Sequence, residues 1–294
     1  MTQPFDHAHR GTICMENAEI LARSAHQGDQ VILKLGAPGI AARAQPGAFV
    51  HVRCEPTLLM RRPMSIMRAE RGAGTLEILF KAHGLGTAAL AKRQVGDRLS
   101  LLGPIGRPFK LTGFRPRPLL LGGGVGIPPM VYLAEHMRRL SGVTPLVLMG
   151  SEVPFPFSPR PSQRMVPGIP ASVIGTMPLM EDWGIACRLA SQQGYAGTFE
   201  GLVTELAQHW LDHSNVPRDQ IEIFACGPTP MLKAVQRMAA QYQLPAEMSL
   251  EEFMACAVGG CAGCTVRIET TMGPAMKRVC VDGPVFEASS VVFG

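Results

Sequence analysis

Four cysteines in the last forty residues of the chain place the strongest constraint on its fold. Cys256, Cys261 and Cys264 follow the spacing C-x4-C-x2-C, and Cys280 comes after fifteen intervening residues. This is the plant-type spacing for a [2Fe–2S] cluster, whose two irons take four thiolates. Small residues between the cysteines allow the backbone to wrap closely and to direct N–H groups at the sulfur atoms. They are Ala257, Gly259, Gly260, Ala262 and Gly263.

Two other interpretations of these cysteines remain open at the level of sequence. One is a zinc site with four thiolates, and the other is a set of unpaired thiols in a hydrophobic core. Structural zinc sites usually show two C-x2-C pairs, and this chain has one such pair. The spacing therefore favours the iron–sulfur interpretation.

The length and composition indicate a globular chain of two or three domains. The 294 residues are 46% hydrophobic and 17% charged, which suffices for substantial cores. Aromatic residues make up 6%, and no basic run interleaved with aromatics occurs, so nucleic-acid binding has little support. The net charge of +5 counts every cysteine as neutral, and thiolates or bound phosphates would lower it.

The remaining cysteines and the hydropathy pattern predict a cytoplasmic protein. No second cysteine framework is visible, and thiols committed to iron imply a reducing compartment. Residues 1–10 lack the apolar core of a signal peptide, so we expect none. The most apolar stretch, 119–137, is interrupted by glycines and prolines and predicts no transmembrane helix. The cysteines outside the cluster pattern are Cys14, Cys54, Cys187 and Cys226.

The pattern of residues 11–113 predicts a small antiparallel β-barrel. Short apolar or alternating runs at 31–35, 48–52, 75–80 and 98–102 are separated by turn residues, as in such barrels.

Two segments of this barrel region are candidate anion-binding elements. Arg62 and Ser65 lie three residues apart on a strand stiffened by Pro63, a spacing that can reach a phosphate and a ring nitrogen of one elongated ligand. Gly86 and Thr87 lie in a turn whose free N–H groups can cradle an anion, and Thr87 is a candidate cap for the following helix. A solvated Arg-Arg pair and an ordinary turn are the alternatives.

Residues 114–245 change character and predict an α/β domain with a parallel sheet that binds a nucleotide. An apolar strand at 119–121 enters a glycine loop, and a helix follows from about residue 130. Strand, glycine loop and helix form the dinucleotide-binding order, although Pro129 replaces the usual last glycine. The glycines of the loop are Gly122, Gly123, Gly124 and Gly126.

A second loop of this domain is a candidate for the nicotinamide side of the nucleotide, with a small buried cysteine as the alternative. Cys226, Gly227 and Pro228 follow the strand predicted at 221–224, where ligands of parallel sheets bind. Glu152 follows the second strand, where an acid often holds a ribose diol, which would favour NAD(H) over its phosphorylated form; an exposed loop acid without a ligand is the alternative. The proline-rich residues 153–178 predict an irregular insertion, and residues 243–249 a linker to the third domain, 246–294.

The order of these modules resembles the ferredoxin-NADP⁺ reductase superfamily and, more narrowly, the electron-transfer subunits of B-type dihydroorotate dehydrogenases. The motifs that carry the resemblance are Arg-Pro-Met-Ser, Gly-Leu-Gly-Thr, Gly-Gly-Gly-Val-Gly-Ile-Pro-Pro, Ala-Cys-Gly-Pro and Glu-Phe-Met-Ala-Cys. The resemblance implies an α+β multidomain fold, with an FAD-binding barrel, a parallel-sheet NAD(H) domain and a small [2Fe–2S] domain. Two departures are the length of the 153–178 insertion and Phe253, where many relatives have a basic residue.

Carried over residue by residue, the resemblance implies sites for FAD, for NAD(H) and for the cluster. The cluster ligands would be the four cysteines described above, and the glycine loop with Cys226, Gly227 and Pro228 would hold the nicotinamide nucleotide. The implied FAD site consists of Arg62, Pro63, Met64, Ser65, Leu79, Phe80, Lys81, Gly86 and Thr87.

The resemblance also implies a relay that depends on a partner subunit. Nicotinamide delivers two electrons as a hydride, the cluster takes one at a time, and a flavin between them converts one into the other. We expect no catalytic acid or base on this chain. The implied partner is an FMN-containing dihydroorotate dehydrogenase, in a heterotetramer that converts dihydroorotate to orotate. Equivalent subunits of a sulfide dehydrogenase, a bifurcating transhydrogenase or a hydrogenase are alternatives, as is a non-catalytic redox sensor or zinc-binding module.

Overall fold

A closed antiparallel β-barrel forms the first structural unit, as the alternating runs predicted. The computed structural model describes residues 11–294, so the N-terminal tail lies outside the described residues. The strands follow the order β1-β2-β5-β4-β3-β6 around the barrel. Their bounds are β1 (Cys14–His26), β2 (Gln30–Gly36), β3 (Phe49–Val52), β4 (Arg62–Glu70), β5 (Thr75–Lys81) and β6 (Arg98–Ile105).

Two short helices accompany the barrel, α1 (Pro38–Arg43) and α2 (Gly84–Ala91). The prediction that Thr87 caps the helix after the glycine turn is wrong, because α2 already begins at Gly84 with His83 as its N-cap. The Thr87 hydroxyl instead accepts a hydrogen bond from the backbone N–H of His83 at 2.8 Å. Thr87 therefore lies inside the first turn and ties it to the end of β5.

The α/β unit is built on a seven-stranded sheet with the order β12-β11-β8-β7-β13-β14-β17. All neighbouring strands pair in parallel except β14 and β17. The strand bounds are β7 (Arg117–Gly123), β8 (Leu146–Gly150), β11 (Ala186–Ser191), β12 (Phe199–Glu200), β13 (Ile221–Cys226), β14 (Ala246–Ser249) and β17 (Val285–Glu287). Two-residue strands β9 (Arg160–Pro161) and β10 (Gly175–Thr176) pair with each other outside this sheet.

Helices cover both faces of the sheet. On one face, α3 (Ile127–Met137) and α4 (Pro178–Asp182) share a core with Leu120, Val147 and Phe224. On the other, α5 (Val203–His213) and α6 (Thr229–Tyr242) pack on the alternate residues of the same strands. The alternation explains why these strands read as continuous apolar runs, since both of their faces are buried.

The segment predicted as a linker, 243–249, is in part a strand. Residues Ala246–Ser249 form the buried strand β14, which pairs with β13. The prediction failed because Glu247 and Ser249 interrupt any apolar run. In the structure, the buried Glu247 carboxylate accepts the backbone N–H of Lys110 at 2.8 Å, so its polarity is satisfied.

The C-terminal residues add a small sheet and also one strand of the large sheet. The small sheet consists of β15 (Thr265–Thr270), β16 (Gly273–Arg278) and β18 (Val291–Val292). Between β16 and β18 the chain returns to the large sheet as β17, antiparallel to β14. The sheet thus continues beyond residue 245, where we predicted a domain boundary, and that boundary stays a prediction.

The barrel and the α/β unit meet through α3 and the proline-rich insertion. The buried Tyr132 hydroxyl of α3 donates to the carbonyl of Ala44 at 2.9 Å. Trp183 lies under two guanidinium groups, Arg68 of the barrel at 5.4 Å and Arg138 at 4.9 Å from its ring centroid. The insertion folds back on the barrel, where Gln30 donates to the carbonyl of Pro154 at 2.7 Å. Apart from the two-residue strands β9 and β10 the insertion is irregular, as predicted, and its first residues contact the barrel.

Among residues 11–294, the longest apolar helices fall short of what a bilayer crossing requires.

We expect Glu247→Gln to stabilise the protein increasingly as the pH rises. Burial raises the pKa of Glu247 above its ordinary 4.5, so the folded state favours the protonated carboxyl. The contribution of protonated Glu247 to the free energy of unfolding is present at low pH and is lost as the pH rises above about 4.5. Glutamine keeps the oxygen that accepts the Lys110 N–H but does not ionise.

Urea unfolding of both proteins between pH 4.5 and 8 measures this difference. Glu287→Gln is the matched control, because Glu287 pairs with Glu247 across β14 and β17 but is exposed. A constant difference between wild type and Glu247→Gln over this range would contradict the prediction.

Candidate functional site

The two predicted anion-binding elements of the barrel converge on one place. Arg62 on β4 lies against the first turn of α2, where a Cβ added to Gly86 would come within 2.9 Å of Arg62 Nε. Within residues 11–294, no carboxylate forms an ion pair with Arg62, and its guanidinium donates to the carbonyls of Met60 and Arg61 at 2.9 and 3.1 Å. A cation beside a helix N-terminus is a suitable site for a phosphate group.

The neighbouring Arg61 has a structural role instead. Its guanidinium donates to the carbonyl of Ser100 at 2.7 Å, to the Ser100 hydroxyl at 2.8 Å and to the carbonyl of His51 at 3.2 Å. These bonds fasten the start of β4 to β3 and β6. The Arg-Arg pair of the sequence is thus divided between one anchoring residue and one residue available to a ligand.

The other residues predicted to bind FAD lie along β4 and the end of β5. The side chains of Met64 and Phe80 pack in the barrel core, so only their main-chain atoms are available to a ligand. Ser65 pairs with Phe49 of β3, and both alternate with Met64 towards the outside of the barrel. Leu79 packs in the core shared with α3, Lys81 is exposed, and Pro63 is half-buried.

The glycine loop lies at the topological switch point of the large sheet. From β7 the chain proceeds to β8, β11 and β12 on one side and later returns to β13 on the other side. A crevice at such a reversal, beyond the carboxyl ends of the strands, is where open α/β sheets bind nucleotides. Gly122 and Gly123 end β7, and Gly124–Gly126 form a single 3₁₀ turn before α3.

The second predicted loop packs directly on the first. A Cβ at Gly126 would lie 2.2 Å from the carbonyl oxygen of Cys226, and Cβ atoms at Gly123 and Gly227 would both meet the sulfur of Met231. By contrast, a Cβ at Gly124 would meet open space. Gly126 therefore serves the close packing of the two loops, and Gly124 is the glycine that leaves room for a ligand.

Cys226 is fully buried on the sheet face that carries α3. Its Sγ lies 4.0 Å from a carboxylate oxygen of Glu251. Burial, followed by the charge of Glu251, raises the pKa of Cys226 well above 9.0, so the thiol is protonated at neutral pH. A buried, protonated thiol does not suit a nucleophile.

The four cysteines of the loop form two close pairs. The Sγ atoms of Cys256 and Cys261 are 3.4 Å apart, and those of Cys264 and Cys280 are 3.3 Å apart. The second pair is buried in the core that contains α5 and α6, while Cys261 is exposed. Among the described residues, no three such ligands converge on one point. Two pairs fit two irons better than they fit one tetrahedral zinc ion.

Backbone N–H groups surround the sulfur atoms of the first pair. The N–H of Cys261 donates to Cys256 Sγ, and that of Gly263 donates to Cys261 Sγ, both at 3.4 Å. Burial raises the pKa of Cys256, but N–H groups of the loop outweigh it and lower the value to about 7. Ala257, Gly259 and Ala262 have positive φ angles, which let the loop curl around the sulfurs. The loop thus favours the thiolate of Cys256, the form that binds iron, whereas burial and then the neighbouring Cys264 raise the pKa of Cys280 to about 12.

The fold and the cysteine module together define an oxidoreductase of the ferredoxin reductase type with an iron–sulfur extension. Two solved structures share this fold. The NADH-dependent reduced ferredoxin-NADP oxidoreductase of flavin-based electron bifurcation is 22% identical with a TM-score of 0.76, covering 94% of this chain and 90% of its own. A ferredoxin NADP⁺ reductase from Neisseria gonorrhoeae is 16% identical with a TM-score of 0.56, covering 78% of this chain and 91% of its own.

Sequence comparison gives the family within that class. Residues 251–292 match the iron–sulfur cluster binding domain of dihydroorotate dehydrogenase B. The dihydroorotate dehydrogenase B (NAD(+)) electron transfer subunit of Desulforamulus reducens is 33% identical over 279 residues, 94% of this chain and 98% of the relative. That of Shouchella clausii is 33% identical over 256 residues, 85% and 87% of the two chains. The chain belongs to the family of dihydroorotate dehydrogenase B electron transfer subunits.

Sequence reasoning missed three residues that the structure places at these sites. Arg278 donates to the carbonyl of Gly259 at 3.0 Å and its own N–H binds Asp282, which braces the cysteine loop. Glu251 contacts Cys226, and the buried His51 lies between the barrel and the cysteine loop. Strand alternation in β3 could have indicated that His51 and Phe49 share a face, but not what covers that face.

We expect Gly126→Ala and Gly124→Ala to have very different effects on stability. An added Cβ at Gly126 overlaps the backbone of Cys226, so unfolding should become easier by about 3 kcal/mol or more. At Gly124 the space is open and only the φ of +55° opposes alanine, a strain of about 1 kcal/mol. Thermal unfolding midpoints of the two variants test this order. Equal midpoints would contradict the assignment of Gly126 to loop packing.

Proposed function

We propose that this chain passes electrons between NAD(H) and a partner dehydrogenase subunit, with its two cofactors bound at the sites described above. When bound, FAD exchanges a hydride with nicotinamide and single electrons with the iron–sulfur cluster. The observation that carries the proposal is the convergence of Arg62 with the first turn of α2, in a chain that also holds two pairs of thiols.

The chain's own residues bind and orient the flavin in this proposal. The Arg62 guanidinium and the α2 N–H groups hold the pyrophosphate. The Ser65 hydroxyl, on the outer face of β4, donates a hydrogen bond to a ring nitrogen. Pro63, Met64, Leu79, Phe80 and Lys81 line the site, with main-chain contacts from Met64 and Phe80. Gly86 leaves room for the Arg62 side chain, and Thr87 holds the turn.

The nucleotide crevice binds NAD(H) in the same proposal. Gly122, Gly123 and Gly124 allow close approach of a pyrophosphate at the start of α3. Cys226, Gly227 and Pro228 form the nicotinamide wall, where a protonated thiol gives a neutral contact. Glu152, exposed after β8, suits the ribose hydroxyls of NAD(H).

The cluster would be held by the two pairs of cysteines, Cys256 with Cys261 and Cys264 with Cys280. The N–H groups of Cys261 and Gly263 stabilise the negative charge on the sulfurs. Arg278 fixes the loop through Gly259.

Substrate oxidation takes place on the partner subunit. Relatives that align with this chain over most of their length carry the name of an electron transfer subunit. The segment before the cysteines exposes Phe253 to 94%, and Cys261 is exposed nearby in the same loop. An exposed aromatic beside a redox loop suits a docked FMN-containing dihydroorotate dehydrogenase, in a heterotetramer. Eight free thiols suit a reducing compartment, which supports a cytoplasmic location.

Arg62→Ala should weaken FAD binding about ten- to hundredfold, because a charge-assisted contact to a phosphate is lost. Arg61→Ala is the matched control, since that side chain is committed to Ser100 and His51. The control should lower thermal stability and leave FAD affinity within about threefold. Flavin fluorescence during titration of the apoprotein measures both. Equal losses in the two variants would remove Arg62 from the site.

Cys261→Ser should abolish the visible and electron paramagnetic resonance signals of the cluster while FAD content stays close to one per chain. Cys14 lies on β1, far from the cysteine loop in sequence. Cys14→Ser should therefore change neither the cluster signals nor the FAD content. A colourless wild-type protein that retains zinc after anaerobic purification would contradict the cluster assignment.

The partner is tested by co-purification from the native source. We expect a flavoprotein subunit and dihydroorotate-dependent reduction of NAD⁺ by the complex. Recovery of a hydrogenase or sulfur-metabolising subunit in its place would overturn the dihydroorotate assignment.

A further inference from the structure

A buried histidine lies where the barrel meets the cysteine loop. His51 on β3 is fully buried, and within residues 11–294 neither of its ring nitrogens has a hydrogen-bond partner of normal geometry. Buried polar atoms without partners are uncommon in proteins and call for an explanation. Its backbone carbonyl accepts a hydrogen bond from the Arg61 guanidinium at 3.2 Å.

Strand register determines which way the His51 side chain faces. His51 pairs with Pro63 and Phe49 pairs with Ser65, so these four residues share one face of β3 and β4. Val50 and Val52 alternate with them and pack inside the barrel. Phe49 packs outside the barrel, in the core that also contains Met254, Cys264 and Cys280. His51 therefore faces the cysteine module from the strand pair that carries Arg62 to Ser65.

The environment of the imidazole agrees with this direction. Burial and then the charge of Arg61 lower the pKa of His51 to about 4, and the backbone groups of Arg61 and Met254 act in the opposite sense. The ring is therefore neutral at physiological pH and carries a single N–H donor. The backbone groups of Arg61 and Met254 are the two neighbouring acceptors. One of these, Met254, lies two residues before Cys256.

The segment before the cysteines lies mostly at the surface. Glu251, Glu252 and Phe253 are exposed, and they have no regular secondary structure. Met254 is the first buried residue after Leu250. Contact between His51 and Met254 is thus well placed to fix the position of the loop relative to β4.

We propose that His51 is a positioning residue for electron transfer between the flavin and the cluster, because it holds the segment at Met254 against the strand pair that carries the flavin-binding residues. This inference rests on the proposed function. Electron transfer slows as donor and acceptor move apart, so a cysteine segment that shifts away from β4 would lower the rate of the single-electron step.

The test compares two rates in the purified holoprotein. Flavin reduction by NADH and the following cluster reduction are resolved by stopped-flow absorption. His51→Phe fills the space of the ring without its nitrogens, and we expect the cluster step to slow about tenfold while flavin reduction stays within about twofold of wild type. His51→Gln keeps a donor and should recover the cluster step to within about threefold.

A second readout does not depend on turnover. Amide hydrogen exchange across residues 254–264 should be about tenfold faster in His51→Phe than in wild type, and near wild type in His51→Gln. Val52→Ala is the matched control, because Val52 lies one residue along β3 on the opposite, barrel-core face. It should lower thermal stability and change neither the rate ratio nor the exchange of this segment.

The outcomes separate this inference from the proposal on which it rests. Absence of NADH-dependent flavin reduction in wild type would overturn the proposed function. Normal flavin reduction with an unchanged rate ratio in His51→Phe, or an equal slowing in Val52→Ala, would overturn the role of His51. If His51→Phe does not retain both cofactors, His51→Leu decides by the same rates and the same exchange measurement.

Discussion

The pairing of β14 with β17 is the interaction on which the arrangement of the whole molecule depends. These two strands place the cysteine module at the edge of the nucleotide-binding sheet, with Met248 opposite Phe286. The buried pair Cys264 and Cys280 then lies in the same hydrophobic core as α5, α6 and Phe49 of the barrel. The cysteine loop is thereby held in place by regular backbone hydrogen bonds and by a shared hydrophobic core.

This attachment has a direct consequence for electron transfer. Side chains of one unit contact residues of another where the barrel, the α/β unit and the cysteine module meet. Examples are Tyr132, Trp183 and His51. The sites predicted for FAD, NAD(H) and iron therefore have fixed positions relative to one another. Contacts of this kind restrict relative movement of the units that carry the predicted donor and acceptor sites.

The glycines illustrate how one motif can serve two physical purposes. In the sequence, Gly124 and Gly126 are equivalent members of a nucleotide-binding loop. In the structure, Gly126 touches the backbone of Cys226, while Gly124 has a positive φ and open space in front of it. Packing of one loop on the other thus creates the crevice, and the remaining glycine keeps it accessible. A similar division separates Arg61, which anchors β4, from Arg62, which is available to a ligand.

The sequence by itself determined the order of the modules, the strands with clear alternation and the four cysteines. Each of these depends on local spacing, which is visible along the chain. It did not determine that Ala246–Ser249 is a strand, since Glu247 becomes compatible with burial only when Lys110 supplies its hydrogen bond. Nor did it divide the cysteines into two pairs or bring His51 to Met254. Those features depend on contacts that form only in the folded chain, so only the tertiary structure decides them.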